Sequence, residues 1–300
     1  MKREDNRHSS AQRETETLRA VEKIFEKLFK NLLTNQLKCG IIYMSRGEGS
    51  LLPMTEKENK KMNYELTPPN TRRHLYLTCD IETANHTEDA LAYDIGLAIV
   101  DRYGKVYARF SLVIVEIFEG EADLMQSAYY AAKIPEYYEG IANGEREVVT
   151  LYEAHKLVKD LCEFYEVKAI MAYNAFFDVS GMNRTQRYIT KSKYRWFFPY
   201  GIPVHCIWHM ACQTICSQKK YYDFCVENGF VSAAGNISTS AETVYAFITN
   251  NPDFEEEHKG IEDVLIETEI FAECIKKHKA MARNLNRGCW RMAQRKNGAK

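Results

Sequence analysis

The chain has 300 residues, 45% hydrophobic and 27% charged, with a formal net charge of −1. That composition supports a buried core and excludes a polycation that would bind nucleic acid over its whole surface, so any such binding has to come from local basic patches. Nine cysteines are scattered without paired spacing, no apolar run approaches the ~18 residues of a membrane span, and no secretory leader is visible, so the expectation is a cytoplasmic protein with free thiols and no membrane partner.

Residues 1–70 read as an N-terminal arm. Within it, Leu18, Val21, Ile24, Phe25, Leu28, Phe29, Leu32 and Leu33 recur at helical spacing, which predicts an amphipathic helix over Thr15–Leu33. Its apolar face suits packing on its own domain, on a second copy or on a partner protein; a membrane-surface helix is the weaker alternative, because the polar face is mixed in sign rather than basic. Residues 45–72 carry Gly, Pro, Asn and many charges without periodicity and read as a linker; Met54 and Met62 lie in it and are alternative starts.

The pattern changes at Leu75. Leu75–Cys79, Asp94–Val100 and Val106–Phe118 read as strands, with a tight turn at Asp101–Gly104, so the expectation is an antiparallel meander. Gly120–Val149 reads as a long Tyr-rich linker; its Tyr129, Tyr130, Tyr137 and Tyr138 are either stacking faces for bases or ordinary packing. A helix over Thr150–Tyr165, a strand over Lys168–Tyr173 and a helix from about Phe177 to Ile189 follow. Val204–Ser217 begins extended and turns helical. A helix over Thr239–Asn250 is opened by the capping box Thr239-Ser240-Ala241-Glu242, and Gly260–Lys279 is the last helix. Strands followed by alternating helices and strands make an α/β pattern. Residues 71–280 are therefore read as one domain and 281–300 as a basic tail, either holding nucleic acid or merely soluble.

Three groups of residues carry chemistry. Asp80 and Glu82 alternate onto one side of a strand end, where two acids repel each other unless a cation lies between them. Taken alone, such a pair is weak evidence, since acidic residues are abundant here and a solvated surface is much the commoner reason for one. Asp178 follows an apolar strand and the segment Asn174-Ala175-Phe176-Phe177; near a helix start it is favoured by the dipole whatever its role. Asp263 lies in the first turn of the last helix with His258 on the approach, and Gly260 permits a sharp turn that folds the imidazole toward the carboxylate.

The ordered set Asp-x-Glu, Asn-x-x-Phe-Asp, His-x-x-x-x-Asp resembles the DEDDh family of 3'–5' exonucleases, which includes polymerase proofreading subunits and RNase T-like enzymes; the likeness covers Leu75 to Lys277. The stretch Thr239–Glu269 is most similar to members encoded by phages and mobile elements. The resemblance implies an RNase H-like fold with a mixed five-stranded sheet flanked by helices. It also implies that Asp80, Glu82, Asp178 and Asp263 hold two Mg²⁺ or Mn²⁺ ions, that His258 is the general base, and that Thr83 touches the terminal nucleotide. Asn174, with an amide able to donate at the strand end, joins Thr83 as a substrate contact. Carboxylate-rich oxygen ligation suits Mg²⁺ or Mn²⁺ rather than zinc, and two such ions suit phosphodiester hydrolysis.

The implied substrate is a nucleic acid with a free 3' end, single-stranded DNA first, released as nucleoside 5'-monophosphates. An RNA-trimming enzyme of the same fold and a non-catalytic nucleic-acid or polymerase-binding module are the rivals. Basic and aromatic residues interleave over Arg184–Trp196, which suits either a phosphate-tracking surface or a plain solvated helix face. His205, Cys206, His209, Cys212, Cys216 and Cys225 lack metal-pair spacing and sit among apolar residues, which predicts a buried helix with core thiols rather than a zinc site. Should His258 not be the base, His86 is the next histidine to consider.

Overall fold

A computed structural model of the chain describes residues 73–84, 89–126, 131–193 and 196–294. The amphipathic helix of the arm, the linker, His86, Tyr129, Tyr130, Tyr194 and Arg195 lie outside the described residues.

Three strands rich in aliphatic and β-branched residues open the domain: β1 (Leu75–Ala84), β2 (Leu91–Asp101) and β3 (Val106–Ile114). They pair antiparallel, with Glu82 of β1 opposite Asp94 of β2. The β2–β3 turn closes where Gly104, at φ 81°, donates its N–H to Asp101 O at 3.0 Å. The chain continues through α1 (Val115–Phe118), α2 (Ala122–Gln126), α3 (Ile134–Asn143), β4 (Glu147–Val149), α4 (Leu151–Phe164), β5 (Ile170–Ala172), α5 (Ala175–Thr190) and β6 (Val204–Cys206). After these come α6 (Ile207–Ala211), which runs into a π-helical turn at Cys212–Cys216, then α7 (Lys219–Glu227), α8 (Ala241–Thr249) and α9 (Gly260–Lys276).

The sheet has six strands in the order β4-β3-β2-β1-β5-β6. β5 lies parallel to β1, and β6 to β5. The mixed α/β sheet flanked by helices is therefore present, but with six strands rather than five. The extra one is β4, which pairs parallel to β3 within the stretch read as a linker. That stretch is largely ordered into α2, α3 and β4, because Tyr137 is buried against Tyr93 and Phe118 and donates to Asp94 Oδ2 at 2.7 Å. Tyr138 also packs on Phe118, so both of these tyrosines serve packing.

Helices cover both faces, and β2 is buried along its whole length, as a central strand covered on both sides must be. On one face, Gly181 of α5 meets Ile81 so closely that an added Cβ would lie 2.5 Å from Ile81 Cδ1. On the other, Tyr76 of β1 meets Phe271 of α9 edge to face at 5.2 Å. Alternation along β1 puts Asp80 and Glu82 on the side of Tyr76, facing α9.

Several local expectations shift. β1 runs on to Ala84, so Asp80 and Glu82 lie inside the strand rather than at its end. A register shift follows at Glu82/Thr83 and lifts the end of β1 out of regular pairing. The helix carrying Asp178 begins at Ala175, earlier than expected, and Asp178 is its fourth residue. Helix α8 is capped by Ser240, whose hydroxyl accepts from Thr243 N at 3.2 Å; Thr239 instead accepts from the Trp208 indole at 2.9 Å, and no Glu242 capping box forms. A capping box does open α4, where Thr150 and Glu153 exchange bonds. The described cysteines are buried and free, Cys206, Cys212, Cys216 and Cys225 among them, as expected for core thiols.

Residues 281–294 do not hang free. Ala282 and Gln213 exchange two hydrogen bonds, Cys206 N donates to Arg283 O, and His209 Nδ1 lies 2.9 Å from Asn284 O. Gln294 likewise exchanges two bonds with the Ile237 backbone, and Cys289 is buried. The described part of the basic segment is thus laid along α6 and its π-helical extension. No helix among the described residues is long and apolar enough to cross a membrane.

Candidate active site

The sheet brings distant acids together. One ligand atom each from Glu82, His258 and Asp263 lie within 4.8 Å of one another, the one such cluster among the described residues. Glu82 comes from β1 and Asp263 from the first turn of α9, whose close seating is a matter of glycine. A Cβ on Gly260 would lie 2.6 Å from Gly96 N on β2, and one on Gly96 would lie 2.1 Å from Gly260 C. Only two glycines face to face let the helix start touch the strand. Gly260 N also donates to Asp94 Oδ2 at 3.0 Å. The sharp turn expected at Gly260 occurs instead at His258, whose φ is 49°, a left-handed conformation that non-glycine residues adopt rarely.

Asp94 anchors this corner. Its Oδ2 accepts from Tyr137 and Gly260, and Arg146 lies 3.3 Å away, forming a buried ion pair. Arg146 also donates to Ser111 Oγ at 2.7 Å and pairs with Glu262 at 3.1 Å. Nothing in the sequence marks Asp94 or Arg146, because their roles depend on α3 and α9 arriving at the same strand.

Asp80 and Asp178 lie beside the cluster. Asp178 is buried at the start of α5 and accepts from the backbone N–H of Ile81, which ties that helix to β1. Burial drives Asp80 well above the usual carboxylate range, with the charges of Glu267, Asp178, Glu82 and Asp263 adding to the rise. Burial likewise pushes Glu82 up to about 9, helped by Asp263 and Asp94. Asp178 and Asp263 are each raised to about 7, also by burial first. Four acids packed this closely hold protons unless a cation takes their place. Burial lowers the His258 imidazole, and Lys133 lowers it further against the opposing pull of Glu242. Both shift the ring toward its neutral form. Lys133 itself donates to Glu257 O in the same loop.

Sequence reasoning missed a fifth acid. Glu267 lies one turn beyond Asp263 in α9, is 3% exposed and accepts from the Tyr173 backbone. It is the acid that most raises Asp80. The signal was present as the i, i+4 spacing from Asp263 along one helix face. Asp263 Oδ1 and Glu267 Oε2 are both buried with no hydrogen-bond partner. Orphaned carboxylate oxygens in a site made of carboxylates and one imidazole fit a divalent cation of the Mg²⁺ or Mn²⁺ kind.

Thr83 is half-buried just past the register shift. Asn174 is exposed at the N-cap of α5, makes no capping bond, and lines a cleft of about 640 Å³ with Phe176, Phe177, Ser180, Arg184, Trp208 and Arg287. Of the basic and aromatic stretch, Thr185 is buried and binds Ala92 N, whereas Tyr188 is exposed with the Lys191 ammonium 4.4 Å from its ring. Trp196 belongs to a separate cavity with Tyr200.

No protein-family model and no curated protein matches the sequence. Among solved structures the chain is similar to E. coli Exonuclease I in complex with a 5cy-dT13 oligonucleotide, at 11% identity and a TM-score of 0.40. The match covers 66% of this chain and 40% of that one. A likeness of that size leaves the functional reading to the side chains.

Proposed function

We propose that the chain is a divalent-cation-dependent 3'–5' exonuclease, acting on single-stranded DNA and releasing nucleoside 5'-monophosphates. The observation that carries this reading is the convergence of Glu82, His258 and Asp263 within 4.8 Å, beside the buried Asp80 and Asp178. The 3' polarity and the choice of substrate rest on the resemblance of the motif set to the DEDDh family.

Asp80, Glu82, Asp178 and Asp263 would hold two Mg²⁺ or Mn²⁺ ions. Such ions, when bound, supply charge neutralisation for the phosphodiester and its attacking and leaving oxygens. The chain's own residues do the rest. His258, held by its left-handed turn and pushed toward its neutral form by burial and Lys133, accepts the proton of the attacking water at an imidazole nitrogen. The Asp94–Arg146–Glu262 bridge holds the start of α9, and so keeps Asp263 opposite β1. Thr83 and Asn174 contact the terminal nucleotides.

The test uses a 5'-labelled single strand, the same sequence as RNA, and a duplex with a frayed 3' end. In magnesium the DNA strand should shorten stepwise from its 3' end, stop in EDTA, and resume with Mg²⁺ or Mn²⁺. Asp80→Ala should lower the rate by several orders of magnitude. Shortening that persists in EDTA, or in the Asp80→Ala protein, would remove this mechanism; faster trimming of RNA would reassign the substrate and leave the chemistry intact.

A further inference from the structure

The cleft beside the acids has a chemistry of its own. Its lining of Asn174, Phe176, Phe177, Ser180, Arg184, Trp208 and Arg287 holds two guanidinium groups and no carboxylate. That contrasts with the acidic cluster next door, and with a chain whose formal net charge is −1. The cleft adjoins the site through α5: Phe177 precedes Asp178, and Asn174 lies one turn back, about 6 Å along the axis.

Phe176, in the first turn of α5, is 39% exposed. The Arg287 guanidinium lies 4.3 Å from the centre of that ring. Arg287 is itself exposed, but its backbone is not loose. The bonds that seat residues 281–294 on α6 and its extension, the His209–Asn284 and Gln213–Ala282 contacts among them, anchor the backbone on its approach, and the Phe176 ring holds the guanidinium at the cleft. An arginine held in advance loses less freedom on binding an anion. Arg184, which also lines the cleft, donates to Ala90 O at 3.2 Å, next to the start of β2.

We propose that this cleft is a subsite for one unpaired nucleotide upstream of the scissile phosphate, with its base stacked on Phe176 and its phosphate held by Arg287. The inference rests on the nuclease reading and deepens it. Exposed aromatic faces paired with guanidinium groups are the general means of holding single strands without reading sequence. A volume of about 640 Å³ has room for a base and its sugar. Phe176 falls between the asparagine and phenylalanine of the motif, and Arg287 lies beyond the stretch covered by the family likeness, so the subsite belongs to this chain's own sequence.

The experiment measures fluorescence anisotropy of a 5'-labelled octathymidylate with the full chain, in calcium in place of magnesium, across a salt series. Phe176→Ala should weaken binding about 5- to 100-fold, the usual worth of one base stack. Arg287→Ala should weaken it and reduce the slope of log affinity against log salt by about 0.7, the share of one phosphate contact on a single strand. Arg287→Lys should restore the slope. An abasic residue scanned through the upstream positions should weaken the wild type at one position and cost the Phe176→Ala protein nothing further there. A purely structural role for Arg287 would not move the salt slope. In parallel, shortening of the same oligonucleotide in magnesium tests the nuclease reading. Wild type that shortens it while both alanine variants bind with unchanged affinity and slope overturns the subsite and leaves the nuclease standing. Wild type that binds it, with the expected losses in the variants, but never shortens it sinks the nuclease reading and leaves the cleft as a single-strand binding site.

Discussion

At the scale of single residues, the site contains two groups whose roles can be separated by shape-conserving or truncating changes. His258 stands close enough to Glu82 and Asp263 to be a ligand as well as a base. Its lowered proton affinity comes from burial and Lys133, which favour the neutral ring that can accept a proton. If it acts as the base, His258→Ala should leave Mn²⁺ affinity near wild type while turnover falls by roughly 10²–10⁴-fold. The rate profile should also lose the rise that follows deprotonation of the ring, a rise placed below the imidazole's ordinary value. Loss of Mn²⁺ affinity in that variant would make His258 a ligand. Glu267 poses the complementary question. Its Oε2 is buried and unpartnered beside Asp80 and Asp178. Glu267→Gln keeps the shape and removes the charge, and should weaken Mn²⁺ binding about 10- to 100-fold, as supporting groups of metal sites do. Paramagnetic titration checks this, and an unchanged affinity would leave Glu267 as a buried acid without a part in the site.

The elements meet through surfaces that tolerate almost no added volume. Helix α9 reaches β2 across Gly96 and Gly260, where a methyl group on either would enter the backbone of the other. Gly260→Ala should therefore push the helix start away from the strand and cost about 1–3 kcal/mol, as overpacking does. The same shift moves Asp263 relative to Glu82, so metal affinity should fall together with stability. Gly144→Ala is the control. Gly144 ends α3 at φ 83° with nothing within 4 Å of its added Cβ, so only backbone strain is introduced and metal affinity should not change. Chemical denaturation and Mn²⁺ titration on both variants decide the matter. If Gly260→Ala lost stability but bound metal normally, the seating of α9 would not be what places Asp263. The helix carrying Asp178 shows the same logic, since Gly181 accommodates Ile81 and Asp178 accepts from that residue's backbone.

For the molecule as a whole, the acid cluster links stability, pH and metal. Glu82 is pushed up to about 9, and Asp178 and Asp263 to about 7, against ordinary values near 4. The folded state therefore binds more protons than the unfolded state between about pH 4 and pH 9, and stability falls as pH rises through that window. Contributions from these groups are complete below about pH 4 and lost above their folded values. A bound cation competes with those protons and holds the carboxylates charged, so metal binding strengthens as pH rises and releases protons. In EDTA the melting temperature should drop between pH 5 and pH 9. The gain on adding Mg²⁺ or Mn²⁺ should widen over the same interval, and Glu82→Gln should narrow it. A metal-induced gain that does not vary with pH would show that these carboxylates are not the ones the metal displaces protons from.

The sequence alone determined the α/β class, the antiparallel meander, the helix carrying core thiols and the candidate residues of the site. Each of these depends on local periodicity or on a spaced set of acids, and such patterns survive in a linear string. Tertiary structure decided the rest. The sixth strand and the order in residues 120–149 depend on Tyr137 finding Asp94, a contact between residues far apart in the chain. The left-handed turn falls at His258, while Gly260 is used for the close approach to Gly96, a contact between residues far apart in the chain. The i, i+4 spacing from Asp263 puts Glu267 on the same helix face, but its part in the site depends on α9 lying against β1, which encloses its carboxylate next to Asp80. Arg287 reached the cleft because residues 281–294 fold back along α6, which a run of basic residues does not announce. Local patterns specify elements, whereas contacts between elements specify which side chains share a site, and those depend on volumes and hydrogen-bond partners at positions the chain does not place side by side.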